Sequence, residues 1–417
     1  MGLGIKTFEI KGLFNRFDVK IPLDNDVNIF LGENGLGKTT ILNCFYCVLK
    51  PDFEKLVNIK FKKIILTFID SDSLDLSYED LNCYIEKNND SNNSFSIIDN
   101  FQELIQENIK YDNDKKRIEN VKKFKETIKK KITDDILFFP TYRRIEKHNL
   151  ITNKIKDHRY RYKYYKYYGE YTDKLIKFGM DDVNFEIKEL LEKIKSKSIG
   201  SFRKMTARLI TQYLDQSNLD ELSNSKFKID TNKLEIALAR IGTEIESNDK
   251  EQIKQLVSNG KIYENNVYLL NLIKNLIDSY NEQKVYDEKI KGFVDVCNKY
   301  LRGKQFVYNE STVELDIITD DKSIIEMENL SSGEKQIVST FSKLYIEKKK
   351  DCIVIFDEPE LSLSISWQEN FLPDVMNSPK CKFILAATHS PFIFSNEFRQ
   401  LANDMGECVS PMDKENL

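Results

Sequence analysis

The chain of 417 residues is long enough for two or three compact units with buried cores. Its 63 Lys and Arg residues are balanced by 67 Asp and Glu residues, which excludes a globally basic coat for nucleic acid. The longest apolar runs, Cys352 to Phe356 and Phe383 to Ala387, have the length of strands and fall far short of a membrane span. We therefore expect a cytoplasmic protein with no membrane contact, and its seven cysteines are expected to be reduced.

The N-terminal part alternates strand and helix patterns. Two strands are predicted between Ile5 and Leu23, joined around Gly12, and a third over Val27 to Leu31 runs into a glycine-rich turn. The spacing of apolar residues then predicts a helix over Lys38 to Leu49 and a strand over Lys63 to Ile69. This order is typical of an α/β fold.

Polar stretches follow this strand. The segments DSDSLDLSYED at 70–80 and EKNNDSNNS at 86–94 are predicted to be surface loops. A lysine-rich segment at 101–131 is predicted to be a helix with a solvated face. The apolar run ILFF at 136–139 is predicted to be a buried strand that ends at Pro140.

The central part of the chain has a different pattern. From about residue 148 to residue 300 it shows amphipathic helices with almost no strand signal, which indicates a helical insertion. Strand patterning resumes after residue 300, so the insertion interrupts one α/β unit. We predict three parts: an N-terminal lobe at 1–147, a helical insertion at 148–300 and a C-terminal lobe at 301–417.

A strong phosphate-loop motif lies between the third strand and the helix after it. Residues 32–39, GENGLGKT, fit G-x-x-x-x-G-K-[ST], in which backbone N–H groups and the helix N-terminus bind phosphates. Lys38 is expected to neutralise the β- and γ-phosphates of ATP, and Thr39 to offer its hydroxyl to Mg²⁺. A purely structural glycine turn is the alternative. The predicted nucleotide-binding residues are Gly32, Asn34, Gly35, Gly37, Lys38, Thr39 and Thr40.

A second chemical motif is the strand CIVIFDE at 352–358, which ends in two carboxylates. Adjacent side chains at a strand end point in different directions, so one acid can face a metal ion and the other an attacking water. We expect Asp357 to be the metal ligand and Glu358 the general base. An ordinary acidic pair on the surface is the alternative.

Two short polar motifs complete the set. The segment LSSGEKQ at 330–336 precedes an amphipathic stretch, so Ser331, Ser332 and Gly333 are expected at a helix start, where helix capping alone would explain them. The strand at 383–387 leads to Thr388-His389-Ser390-Pro391. His389 is one of only three histidines and follows a strand end, where ligands gather in α/β sheets, so we predict that it belongs to the site.

The order LSSGE, DEPE and THS resembles the C-terminal half of ABC-type ATPases of the Rad50, SMC, RecF and OLD group. The long separation between Lys38 and Ser331 favours this group over transporters. The run DEPELSLSISWQ is similar to the DEPE-x-x-L-H-x-x-x-Q run of OLD-like ATPases in prokaryotic antiphage systems. FFPTYRRIE resembles AriA of the PARIS system, with PtuA of Septu and retron systems as a neighbouring family.

The chain departs from these relatives at two points. Ser364 stands where OLD-like ATPases usually have histidine, so no role of that histidine is carried over. No clear Q-loop glutamine precedes the insertion; Tyr142 or Arg143 is a candidate for that position, and an ordinary surface turn is the alternative.

The resemblance implies an ABC-type ATPase head with a helical insertion, which uses ATP and Mg²⁺ as a homodimer or higher homo-oligomer. Two ATP molecules would lie between the phosphate loop of one chain and LSSGE of the other. Ser331, Ser332, Gly333 and Glu334 would bind nucleotide in trans. His389 would sense or stabilise the γ-phosphate and Glu358 would polarise water, which makes these two the predicted catalytic residues.

The expected function is an ATP-hydrolysing switch of an antiphage defence system that controls a separate effector. The 28 residues after His389 hold no run of acids of the kind that a Toprim nuclease needs, so we expect a Toprim or HNH nuclease in trans. A RecF- or Rad50-like DNA-repair or chromosome-associated ATPase and a non-catalytic ATP-dependent scaffold are the alternatives. The tyrosine-rich stretch DHRYRYKYYKYYGEY at 157–171 can serve helix packing, a partner surface or nucleic-acid binding.

Overall fold

The computed structural model describes residues 3–33, 35–89, 101–141, 180–215, 228–264, 267–347 and 350–412. These residues form two compact units. The first unit combines the described parts of 1–145 and 348–417, and the second combines those of 178–347. Residues 301–347, which we assigned by sequence to the C-terminal lobe, thus lie in the second unit. The three-part division by motif stays a prediction.

The first unit contains two five-stranded sheets, and strands are numbered here in chain order. The antiparallel sheet has the order β13-β2-β1-β4-β5, formed by β1 (Ile5–Leu13), β2 (Phe17–Pro22), β4 (Lys63–Phe68), β5 (Ser73–Ser77) and β13 (Val409–Pro411). The parallel sheet has the order β12-β3-β11-β10-β6, formed by β3 (Val27–Leu31), β6 (Asp135–Phe139), β10 (Cys352–Asp357), β11 (Cys381–Thr388) and β12 (Ala402–Asp404). The predicted α/β fold class with a parallel sheet is confirmed.

One helix joins these sheets into a common core. Eight of the twelve residues of α1 (Lys38–Leu49) are buried, and all of these except Lys38 share one apolar cluster with side chains of both sheets. Phe45 of α1 packs against Phe8 of β1 with ring centroids 5.0 Å apart. The unit also contains α2 (Phe53–Leu56), α3 (Tyr78–Asn89), α4 (Phe101–Lys131) and α10 (Ile365–Met376). All seven cysteines are free thiols, as expected.

The second unit is mainly helical. Its described helices are α5 (Asp181–Asp215), α6 (Thr231–Arg240), α7 (Ser247–Ser258) and α8 (Val267–Asn298). A three-stranded antiparallel sheet follows, formed by β7 (Lys304–Asn309), β8 (Glu314–Thr319) and β9 (Ile324–Ile325). Helix α9 (Ser332–Ser342) then continues into a π-helical turn over Lys343–Glu347. The predicted helical insertion is confirmed, and within its described part no residue is in a strand.

Two local predictions are wrong. Most of the acidic stretch 70–80 is not a loop: residues 73–77 form β5 and 78–80 begin α3, and only 70–72 lie in the turn before β5. Alternation explains this: Leu76 is 1% exposed in the core, while the neighbouring Asp75 forms an ion pair with Lys63. The polar stretch 86–94 begins inside α3, and its end lies outside the described residues.

Gly12 lies next to the turn that joins the first two strands, as predicted, and its backbone oxygen accepts a hydrogen bond from the Asn15 N–H over 3.0 Å. Gly12 itself lies within β1 at a φ of 67°, where the pairing register with β2 shifts between Ile10 and Leu13. The turn comes after β1 and uses Phe14 and Asn15, at φ values of 54° and 57°. Among the described helices, none is long and apolar enough to span a bilayer.

A buried ion pair connects the helices of the second unit with its small sheet. Arg240 at the end of α6 donates to Asp287 of α8 over 2.7 Å, and their side chains are 2% and 0% exposed. Tyr308 of β7 donates to the same Asp287 oxygen, and burial, together with this bond, raises the pKa of Tyr308. Removing one charge of such a pair leaves the other buried without compensation.

We expect Asp287→Asn to destabilise the second unit by about 3 to 5 kcal/mol, because the charge of Arg240 would stay buried. Urea unfolding followed by the helical circular-dichroism signal measures this. The matched control is Glu235→Gln, since the Glu235 side chain is 63% exposed where it pairs with Lys254, and it should shift stability by less than about 1 kcal/mol. Equal free energies of unfolding for both variants would contradict a stabilising role of the buried ion pair.

Candidate functional site

The parallel sheet brings the predicted motifs to one edge. Strand β3 pairs with β11, β11 with β10 and β10 with β6, all parallel, so their carboxyl ends lie side by side. The phosphate loop follows β3, Asp357 ends β10, and His389 follows β11. Ligands of open parallel sheets bind outside these strand ends. Three of the predicted motifs, which lie apart in sequence, therefore form one candidate site.

Lys38 is the buried cation of this site. It is 5% exposed, and its Nζ donates to the backbone oxygens of Gly32 and Glu33 over 2.8 and 3.1 Å. The same Nζ lies 2.6 Å from Nε2 of His389. Burial lowers the pKa of Lys38 from its ordinary value, while the negative charges of Glu358, Asp357 and Glu360 act against that shift. Lys38 is thus a buried ammonium group among carboxylates.

The glycines of the loop meet steric requirements that other residues would not. Gly37 is the N-cap residue of α1 and has a φ of 78°, in the left-handed region. A Cβ atom on Gly32 would lie 2.9 Å from Cβ of Met405, so even alanine would require a shift. Helix α1 begins directly after Gly37, so its free N–H groups face the loop, where they can bind an anion.

Asp357 is the buried carboxylate of the site, with 2% exposure. Its Oδ2 accepts hydrogen bonds from the Thr39 hydroxyl over 2.7 Å and from the Thr141 hydroxyl over 2.8 Å. Its Oδ1 is buried and has no hydrogen-bond partner within the described part of the chain. A buried carboxylate oxygen without a partner is costly in free energy unless it binds a cation or water.

These oxygens fit a magnesium ion that accompanies a nucleotide. Mg²⁺ takes oxygen ligands and, beside phosphates, commonly needs only one or two protein groups. Thr39 and Asp357 supply a hydroxyl and a carboxylate of this kind. No group of three or more His, Cys, Asp or Glu side chains arranged for a metal occurs in the described ranges, which is compatible with a site completed by phosphates.

Glu358 and His389 form the more exposed side of the site. Oε1 of Glu358 lies 3.5 Å from Nε2 of His389, and the two side chains are 24% and 31% exposed. Glu358 has a φ of 52°, which is uncommon for a residue with a side chain, and its N–H donates to the backbone oxygen of Ala387 over 2.8 Å. The two adjacent acids therefore differ in exposure: Asp357 is buried and Glu358 is partly exposed.

Sequence reasoning missed Thr141 and Glu360. Thr141 belongs to the segment PTYRR, in which only Tyr142 and Arg143 were considered, and these two lie outside the described residues. The signal for Thr141 was a hydroxyl residue directly after a buried strand and Pro140. The carboxylate of Glu360 accepts hydrogen bonds from the Thr388 hydroxyl and from the His389 backbone N–H.

The LSSGE segment lies in the second unit, at the N-terminus of α9. Ser331 is the N-cap residue in a capping box: its hydroxyl accepts from the Glu334 N–H, and the Glu334 carboxylate accepts from the Ser331 N–H over 2.7 Å. Glu334 also pairs with Lys304 over 3.1 Å and is 6% exposed. Ser331 and Ser332 are exposed, so they, and not the Glu334 carboxylate, face outward.

Some predicted residues stay untested. Asn34 of the phosphate loop and the tyrosine-rich stretch 157–171 lie outside the described residues. Thr40 lies in the first turn of α1 and is half-buried.

Comparison with known proteins gives one family match and several distant structural similarities. The profile of the AAA ATPase domain family matches residues 4–394. The Smc head domain of Pyrococcus furiosus, solved with an extended coiled coil and bound to the C-terminal domain of ScpA, is 13% identical, with 99% of this chain and 97% of that chain covered and a TM-score of 0.37. The Smc head domain of Pyrococcus yayanosii, with a coiled coil and joint, is 14% identical over 94% of this chain and 93% of that chain, with a TM-score of 0.32.

A third structure, an Smc head bound to the C-winged helix domain of ScpA, is 12% identical over 99% of both chains, with a TM-score of 0.37. No curated protein sequence matches the chain. The family match spans the phosphate loop, the buried acidic strand and the histidine turn, together with the insertion between them. The chain therefore belongs to the AAA ATPase domain family.

Proposed function

We propose that the protein is an ATP-hydrolysing switch of a prokaryotic antiphage defence system, which dimerises around ATP and controls a separate effector nuclease. The hydrolytic part of the proposal rests on one observation: Lys38, Glu358 and His389 lie close together. Nε2 of His389 is 2.6 Å from Nζ of Lys38 and 3.5 Å from Oε1 of Glu358. One cation, one carboxylate and one imidazole thus converge directly beside a helix N-terminus. The resemblance to OLD-like ATPases supports the finer assignment to defence.

In this proposal the γ-phosphate binds beside Lys38 and His389. The N-terminus of α1 and the ammonium group of Lys38 offset the charge of the phosphates. Thr39 and Asp357 would hold Mg²⁺, which when bound neutralises negative charge on the phosphate oxygens. Thr141 donates to the same carboxylate oxygen as Thr39 and thereby helps to fix the orientation of Asp357.

Glu358 is the proposed general base. It accepts a proton from water as the water oxygen bonds to the γ-phosphorus, and the bond between that phosphorus and the bridging oxygen breaks to leave ADP and phosphate. Its partial exposure gives water access, and its backbone N–H, bonded to Ala387, holds the residue in place. His389 donates to the oxygens of the γ-phosphate, where negative charge develops.

The proposal completes each site with LSSGE of a second chain. Ser331 and Ser332 are exposed at the N-terminus of α9, where hydroxyls and free N–H groups can reach an anion. Glu334 supports this arrangement from inside, because its carboxylate binds the Ser331 N–H and Lys304. Donors brought by the partner would make hydrolysis depend on dimerisation, which is what a switch requires.

We expect Glu358→Gln to lower kcat about 10²- to 10⁴-fold while ATP affinity stays near that of the wild type, because only the proton acceptor is lost. Lys38→Ala should instead weaken ATP binding, since it removes a charge that faces the phosphates. Steady-state phosphate release and calorimetric ATP titration separate the two effects. Glu397→Gln, at an exposed position beyond the histidine turn, is the control. Turnover of Glu358→Gln near the wild-type rate would remove this residue from the role of base.

If LSSGE acts in trans, Ser331→Arg and Lys38→Ala chains should each be inactive and should regain partial activity when mixed, because a heterodimer contains one intact composite site. Ser331→Asp separates this role from capping: Asp is as good an N-cap residue as Ser, but its charge would repel the γ-phosphate. We expect its thermal midpoint to be unchanged and its turnover to be lost. Full turnover of either Ser331 variant would leave capping as the only role of the motif.

The defence role predicts that the intact operon protects cells in phage plating assays and that protection is lost with Lys38→Ala. A pull-down after co-expression with the neighbouring genes should recover a nuclease whose binding to this chain depends on ATP. Nuclease activity of the isolated chain, abolished by changing its own acids, would contradict an effector in trans. Turnover stimulated by DNA without any effector would favour the RecF- or Rad50-like alternative.

A further inference from the structure

The turn that carries His389 is held by a carboxylate from another segment. Glu360, which follows β10, accepts a hydrogen bond from the Thr388 hydroxyl at Oε2 over 2.8 Å and one from the His389 backbone N–H at Oε1 over 2.7 Å. Each carboxylate oxygen therefore accepts one hydrogen bond, one from the last residue of β11 and one from the residue after it. Thr388 is fully buried, so this contact is shielded from competing water.

A second side chain holds the other end of the same turn. Gln368 of α10 is 9% exposed; its Nε2 donates to the backbone oxygen of Leu363 over 2.9 Å, which fixes the amide. Its Oε1 accepts a hydrogen bond from the Ser390 hydroxyl over 2.6 Å. The same hydroxyl oxygen accepts the Phe392 N–H over 3.3 Å. The residue before His389 is thus anchored to the segment that follows β10, and the residue after it to α10.

From this geometry we propose that Glu360 and Gln368 are positioning residues that act through His389, keeping its imidazole between Lys38 and Glu358. The inference rests on the proposed hydrolytic function for its kinetic consequence. Neither side chain contacts Lys38 or the phosphate loop directly by a hydrogen bond in the described residues. They instead fix the backbone at residues 388–390, from which the imidazole reaches the other two site residues.

The requirement for two anchors follows from the distances. His389 Nε2 lies 2.6 Å from Lys38 Nζ and 3.5 Å from Glu358 Oε1, so a small displacement of the turn changes both contacts. Displacement of a reacting group by about 1 Å can cost on the order of 10²-fold in rate. The negative charge of Glu360 also acts at Lys38, where it counteracts the effect of burial on the pKa of that ammonium group.

The first test observes the position of His389 without any turnover. The chain has three histidines, so a protein labelled with ¹³Cε1-histidine gives three signals, and His389→Ala assigns the one of interest. We expect Glu360→Gln and Gln368→Leu to shift or broaden the His389 signal and to leave the other two unchanged. Glu397→Gln and Asn370→Ala, at exposed positions nearby, serve as matched controls. An unchanged His389 signal in both anchor variants would overturn the proposal.

The second test is a double-mutant cycle in ATP hydrolysis. Glu360→Gln and Gln368→Leu should each lower kcat about 10- to 100-fold, with the ATP dissociation constant within about threefold of the wild type. In a His389→Ala background Gln368→Leu should have little further effect, because Gln368 acts through the missing imidazole, and Glu360→Gln should keep only the effect of its lost charge near Lys38. A purely structural role predicts losses that add to that of His389→Ala, and this result would overturn the proposal.

The two tests also separate this inference from the proposed function. The proposed hydrolytic role would be contradicted if the wild type had no turnover or if His389→Ala turned over at the wild-type rate. In either case the His389 signal would still show whether Glu360 and Gln368 position the imidazole. Loss of turnover in His389→Ala together with wild-type turnover of both anchor variants would contradict the positioning role alone.

Discussion

The site depends on the parallel register of four strands. Because β3, β11, β10 and β6 run in the same direction and pair in that order, the segments that follow them emerge at one edge of the sheet. The two bonds that close the site span 318 residues between Thr39 and Asp357 and 351 residues between Lys38 and His389. No local interaction could bring these groups together, so the geometry of the site is a property of the sheet.

The electrostatics of the site follow from this placement. Lys38 and Asp357 are both nearly inaccessible to water, and burial of either charge alone would be unfavourable. Lys38 is compensated by two backbone oxygens and by nearby carboxylates, whereas Asp357 receives two hydroxyl donors on one oxygen and, among the residues described, none on the other. The protein alone thus leaves one buried acceptor unsatisfied, which is where a cation or a water molecule lowers the free energy of the folded state.

What the sequence could predict was local. The phosphate loop, the acidic end of β10 and the helix start at LSSGE are contiguous motifs, and each is found on the expected element. Leu74 and Leu76 alternate with polar residues as in a strand, but the acidic composition of 70–80 favours a loop, so the sequence alone did not predict β5. Thr141 and Glu360 could not be assigned, because their roles come from contacts with residues 216 and 28 to 29 positions away. Such contacts become visible only when the sheet order is known.

The placement of β3 has a consequence for biosynthesis. Four of its five residues are buried, yet both of its sheet neighbours, β11 and β12, are near the other end of the chain. About 350 residues separate the end of β3 from the start of β11, which a ribosome needs on the order of 20 to 70 s to translate. Throughout that time an apolar strand has no partner on either edge, and an unpaired apolar edge is a template for aggregation. The parallel sheet cannot close around β3 until β11 and β12 have been translated, so the nascent chain has to keep this strand covered in some other way.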